Sequence, residues 1–266
     1  MPSIMTDGRR LEYTVHGEGE PVLLINGCGG RAATWRLYQV PALVRAGYQV
    51  VTFDNRGTGP ETVDAFTLDD MVADTLALIT GAGLTGCRVI GVSMGAMIAQ
   101  ELALAHPEAV RQVILLATRG RTDVLRRAMV QAELDGGGLS SAERGVLRAL
   151  LNLSPLTLAD DRRADDWLAM LEQPVAAGPG YRSQLTSTLL PDRLAAYRRI
   201  TTPALVVSFA DDVTTPEHLG REVAEAIPGA RHVGIPGCGH LGFLENPDAV
   251  NDVMLTFLRE GAATAS

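Results

Sequence analysis

Arg88-Val89-Ile90-Gly91-Val92-Ser93-Met94-Gly95 decides how this chain is read. Arg88 to Gly91 has the composition of a short strand. Ser93 to Ala105 reads as a helix, ended by His106-Pro107 because a proline ring cannot continue a helix. The pentapeptide Gly91 to Gly95 fits the pattern G-x-S-x-G and falls between that strand and that helix, the context in which the pattern has a physical meaning. A strand that bends sharply into a helix brings backbone segments together, and only small residues fit at the crossing. Ser93 is then held at the tip of the bend. The helix N-terminus behind it favours negative charge developing nearby. This combination points to a nucleophilic serine.

Outward from that segment, strands alternate with helices. Leu11 to His16 and Tyr48 to Asp54 read as strands. Pro21-Val22-Leu23-Leu24-Ile25-Asn26 is a continuous apolar run of strand length, as in strands covered on both faces. Residues 33 to 46 have a helical pattern, and Thr67 with Asp70 three residues on predicts the start of a helix reaching about Thr80. Val113 to Ala117 is another buried-type strand. The alternation implies an α/β fold with a mostly parallel sheet and helices on both faces. From about Arg119 to Leu190 the rhythm changes to helix-like stretches broken at Gly136-Gly137-Gly138, Pro155, Pro174 and Gly178-Pro179-Gly180. The expected division is therefore a core of residues 1–118 and 191–266 with a helical cap insertion at 119–190. The sheet pattern resumes at Ala204 to Phe209 and Arg231 to Ile235, with helices from about Pro216 to Ala226 and Pro247 to Arg259.

A serine hydroxyl attacks a carbonyl only when a base removes its proton. His240 lies in the loop Gly237-Cys238-Gly239-His240-Leu241, after the last predicted strand. His16 and His232 fall in strands, His106 precedes a helix-ending proline, and His218 lies early in a helix. The imidazole in turn needs an orienting carboxylate. Asp211 and Asp212 both follow the Ala204–Phe209 strand, at the carboxyl end where open α/β sheets place their sites.

Of 266 residues, 46% are hydrophobic and 20% charged, which suits a compact chain with a sizeable core. The net charge is −8, and all 23 basic residues are arginine. The absence of lysine excludes a P-loop, Schiff-base chemistry and a Ser-Lys dyad. The acidic balance argues against nucleic-acid binding. Three cysteines, Cys28, Cys87 and Cys238, form no C-x-x-C pair, so no metal site is expected. No apolar run reaches the ~20 residues of a membrane span, and the first residues lack a secretory pattern. A cytoplasmic protein with free thiols is expected, with a small-molecule substrate and no nucleic-acid or membrane partner.

With these residues in hand the chain resembles the α/β-hydrolase fold superfamily, in particular its small serine esterases with a helical cap. The order Ser93, Asp212, His240 is the order of that family's triad. In its motif G-x-x-D-x-x-x-P the acid stands four residues before a proline. Asp212 and Pro216 keep that spacing, with Phe209 where glycine is usual. This favours Asp212 over Asp211. The family's H-G-x-x loop corresponds to Asn26-Gly27-Cys28-Gly29, with Asn26 in place of histidine. The match implies an oxyanion hole made by the backbone N–H groups of Cys28 and Met94. Asp54-Asn55-Arg56-Gly57-Thr58-Gly59 resembles the family's D-x-R-G-x-G stretch, in which the arginine is structural. Serine at position 93 sets the chain apart from the dehalogenases and epoxide hydrolases of this fold, which carry aspartate there. The resemblance implies cleavage of a carboxylic ester or thioester of a small to medium hydrophobic substrate, without a cofactor. The alternatives are the same triad used for acyl transfer, cyclisation, C–C cleavage or lyase chemistry, and a non-catalytic small-molecule binding protein.

Overall fold

The computed structural model describes residues 1–59, 64–135, 138–172 and 178–263. An eight-stranded sheet forms the centre, in the order β1-β2-β4-β3-β5-β6-β7-β8. Its strands are β1 (Ser3–Thr6), β2 (Arg9–His16), β3 (Glu20–Ile25), β4 (Tyr48–Phe53), β5 (Cys87–Val92), β6 (Val110–Leu116), β7 (Ala204–Phe209) and β8 (Arg231–Ile235). β1 and β2 pair antiparallel with each other, and β2 pairs antiparallel with β4. The remaining ladders are parallel. β5 and β7 are buried along their whole length, as befits central strands covered by helices on both faces.

Alternate residues of the central strands feed two cores, one on each face. Leu23, Val51, Val89 and Leu115 pack with the apolar stripes of helices α2 (Leu68–Gly81) and α3 (Met94–Ala105). Leu24, Val50, Ile90 and Leu116 pack instead against Leu43 of helix α1 (Gln39–Arg45) and Met254 of the long C-terminal helix Pro247–Ala263. The helix expected over 33–46 is in fact two pieces, a 3₁₀ turn at Ala32–Leu37 and then α1, with Tyr38 between them at φ −139. Pro41 supplies the reason. It has no N–H to give the carbonyl of residue 37, and its ring would clash there, so a continuous helix is blocked until Pro41 lies within a new first turn. The start of α2 is as read: Thr67 and Asp70 form a reciprocal capping box.

Between 119 and 190 the described residues form no strand. They form α4 (Val124–Asp135), α5 (Ser141–Asn152), α6 (Pro155–Leu158), α7 (Asp161–Leu171) and α8 (Pro179–Ser187). Of the breaks expected there, Gly136, Gly137 and Pro174 lie outside the described residues, as does Pro60 of the loop after β4. Gly138 is described, at φ +69.

Arg56 has the structural part expected of it. Its Nε and Nη2 donate to the two carboxylate oxygens of Asp74 at 2.5 and 2.6 Å, and Thr6 donates to the same carboxylate at 2.9 Å. The guanidinium lies 5.6 Å from the centre of the Phe66 ring. Both charges are buried, so removing one strands the other. Asp74→Ala is expected to lose about 3–5 kcal/mol of stability, measured by urea unfolding. An unchanged midpoint would show that Arg56 finds another partner.

Candidate active site

Ser93 stands between β5 and α3 at φ +55 and ψ −119, a backbone conformation that L-residues rarely adopt and that persists only where the surroundings hold it. The two glycines of the pentapeptide do part of that holding. A Cβ on Gly91 would sit 2.2 Å from the carbonyl oxygen of Gly95, and a Cβ on Gly95 would sit 2.2 Å from that of Ile25. The bend therefore packs backbone against backbone, and the Ser93 N–H extends the β5–β6 ladder by donating to Leu116 O at 2.9 Å.

The Ser93 hydroxyl is 3.0 Å from Nε2 of His240, and Nδ1 of His240 is 2.7 Å from Oδ2 of Asp212. A carboxylate oxygen can only accept, so Nδ1 carries the proton and the Nε2 lone pair faces the serine. Asp212 is 3% exposed and His240 7%. Oδ1 of Asp212 accepts the N–H groups of Thr214 and Thr215 at 2.7 and 2.8 Å, and its Oδ2 accepts the Thr215 hydroxyl at 2.7 Å. Burial pushes the Asp212 carboxyl up. The charge of His240 and the hydrogen bonds from His240 and Thr215 outweigh it and hold the group below its ordinary range. Asp211 is not drawn in: it lies half-buried, with its N–H donating to Cys238 O at 2.9 Å, which ties the acid loop to the histidine loop. Three of the other histidines stand elsewhere, His16 beside Thr52, His106 beside Glu108 and His232 beside Ser208.

Cys28 sits in a tight turn closed by Gly30 N–H to Gly27 O at 3.1 Å. Gly27 is pressed against Ser93, since a Cβ there would lie 3.1 Å from Cβ of that serine. Met94 is the first residue of α3, where a backbone N–H has no acceptor within the helix. The loop carrying Cys28 and the helix end carrying Met94 thus converge beside Ser93. Asn26, in the place of the family's histidine, is 2% exposed. Its carbonyl accepts from Asn55 Nδ2 at 2.9 Å, while its own Nδ2 is buried without a partner among the described residues. The thiols are poor competitors for the serine. Burial, helped by the charge of Glu133, raises Cys28. Burial, then Glu245 and Asp211, push Cys238 up to about 11.

Helices of the 119–190 segment reach the loops that carry Asp212 and His240. Arg126 of α4 donates to Val213 O and Thr214 O at 2.5 and 3.1 Å, and the Thr214 hydroxyl donates to Leu151 O at 3.0 Å. Asn152 O accepts the Leu241 N–H at 2.9 Å. Glu245 bridges the same region, taking the Ser154 N–H at 2.9 Å and the Gly239 N–H at 2.6 Å. Sequence reasoning named none of these braces. The Asp-x-Thr-Thr spacing after β7 was the one available signal, because an aspartate commonly accepts from the N–H groups two and three residues on.

Residues 22–253 match the model of the alpha/beta hydrolase family. A Mycobacterium tuberculosis protein provisionally named non-heme bromoperoxidase BpoC is 49% identical over 253 residues, covering 93% of this chain and 97% of that one. Its crystal structure superposes with a TM-score of 0.92 over 94% of this chain and 96% of that one. An Azorhizobium caulinodans protein provisionally named carbamate hydrolase RutD is 34% identical, over 94% of this chain and 95% of its own. The rhodomycin D methylesterase DnrP of Streptomyces peucetius is 29% identical, over 90% of this chain and 92% of its own.

Proposed function

The chain belongs to the alpha/beta hydrolase family, and from that premise we propose that it is a serine hydrolase acting on a carboxylic ester or thioester. The observation that carries the reading is the unbroken contact chain from Ser93 through His240 to Asp212, at 3.0 and 2.7 Å. Ser93 Oγ attacks the substrate carbonyl while His240 Nε2 takes its proton, and Asp212 stabilises the imidazolium that forms. The oxyanion accepts from the N–H groups of Cys28 and Met94. His240 returns the proton to the departing alcohol or thiol, leaving an acyl group on Ser93. A water then gives its proton to His240, attacks the acyl carbon and releases the acid. The residues 119–190 serve as a cap over the core of 1–118 and 191–266, and its leucine and methionine content favours a small to medium hydrophobic substrate. The methylesterase and carbamate hydrolase names among the relatives support attack on an acyl carbon.

A series of oxygen and sulfur esters of graded acyl length, hydrolysed in ¹⁸O-water, tests the proposal. One labelled oxygen in the released acid is the expected result. Unlabelled or cyclised product would replace hydrolysis by transfer or cyclisation on the same triad. A second reading, bromide oxidation by peroxide, comes from the name of the 49%-identical relative. A bromination assay on the parent and the Ser93→Ala protein shows whether such activity exists and whether it needs the same serine.

A further inference from the structure

We infer that Gln184 of α8 is a positioning residue that sets the oxyanion loop from the cap side; the inference rests on the reading above, in which the Cys28 N–H receives the oxyanion. Gln184 is 0% exposed. Its Oε1 accepts the Gly29 N–H at 2.7 Å, and its Nε2 donates to Arg56 O at 2.7 Å and to the Thr58 hydroxyl at 3.1 Å. One side chain from the helical insertion thus joins two core loops, the turn at 27–30 and the loop that follows β4. The junction is rigid in other ways. A Cβ on Gly57 would lie 2.6 Å from the carbonyl oxygen of Gly180, so the start of α8 lies directly on that loop's backbone.

The geometry of the turn makes this junction bear on the reaction. Gly27 C=O and Cys28 N–H belong to one planar trans peptide and point in opposite directions. Gly30 N–H fixes the carbonyl end of that plane at 3.1 Å. Gly29, at φ +69, takes the left-handed third position of the turn. Its own N–H, the next along the chain, is the one Gln184 holds. Fixing both peptides that flank Cys28 fixes the direction of the Cys28 N–H. Rotation of the Gln184 amide would leave the Gly29 N–H and Arg56 C=O without their partner in a buried place, so the arrangement resists drift. An oxyanion donor acts mainly where charge develops, in the transition state. Loosening it therefore lowers kcat and leaves KM nearly alone.

The test compares the parent with Gln184→Met, which keeps the volume and loses the hydrogen bonds, and with Ser187→Ala, which removes only the α8 contact to Phe66 O. A fluorophosphonate probe reports the same step without knowledge of the substrate. The Ser93 Oγ–P bond forms, the P–F bond breaks, the proton passes to His240 and fluoride leaves, while the phosphoryl oxygen occupies the oxyanion position. Gln184→Met is expected to lose about 10- to 100-fold in labelling rate and in kcat for an ester, with KM within about twofold. Ser187→Ala is expected to label at the parent rate. Labelling of Gln184→Met at the parent rate, or a loss confined to KM, overturns the inference and leaves the hydrolase reading standing. A parent protein that is not labelled at all removes that reading and the inference with it. Should Gln184→Met fail to fold, the Gly29 amide of the parent decides. Hydrogen exchange as slow as that of β3 and β5 amides is expected, and rapid exchange would overturn the brace.

Discussion

Ser93→Ala is expected to abolish ester turnover, lowering kcat by about 10⁴-fold or more, while the protein stays folded. The two halves of that expectation have separate physical grounds. Without Oγ there is no atom to form the acyl bond, and the Nε2 of His240 has no hydroxyl to activate. The fold survives because alanine keeps the Cβ that packs beside Gly27 and tolerates the backbone: Ala117 already adopts φ +51 in this chain. A p-nitrophenyl ester assay and fluorophosphonate labelling, with circular dichroism as the control for folding, measure both halves. Activity within tenfold of the parent in a folded variant would take the nucleophile away from position 93.

Asp212→Asn is expected to lower kcat by about 10⁴-fold, although it changes a single atom. The buried amide can present its NH₂ to His240 Nδ1. The imidazole then takes the other tautomer, with a proton on Nε2 facing Ser93 and no lone pair to accept from it. The same substitution has a signature in stability. Asp212 is held below the ordinary carboxylate range in the folded protein. Its contribution is fully present above the ordinary value and is lost as the pH falls through the lowered one. Urea unfolding should therefore show the parent ahead of the variant at neutral pH and the gap closing under strongly acid conditions. A gap that does not vary with pH would mean that the carboxylate charge contributes nothing at that position.

The elements most legible in the sequence are those whose side chains are buried on both faces. β3 announces itself by its apolar run, and the bend between β5 and the helix after Ser93 by its two glycines, where an added Cβ would meet backbone. β1 went unread because its four residues alternate between exposed and half-buried and carry no apolar run. The break in the 33–46 helix was readable in retrospect, since Pro41 stands in its middle. Gln184 was not readable at all. Its partners are two backbone groups and one hydroxyl, 126 to 155 residues away along the chain, and a glutamine in a helix carries no local mark of such a role.

What the sequence determined by itself was therefore the kind of fold and the candidate residues: a serine on a glycine-flanked bend, a late histidine, two adjacent aspartates, and an alternation that dictates a parallel sheet. Local sterics account for the bend, and the pattern of neighbouring side chains accounts for the alternation. The spacing to Pro216 already favoured Asp212 over Asp211, whereas what fixes the turn at 27–30 and how the helices at 119–190 grip the loops were decided only in three dimensions. Those contacts form between segments whose approach depends on how the whole sheet stacks, and hydrogen bonds to backbone groups leave almost no trace in residue identity.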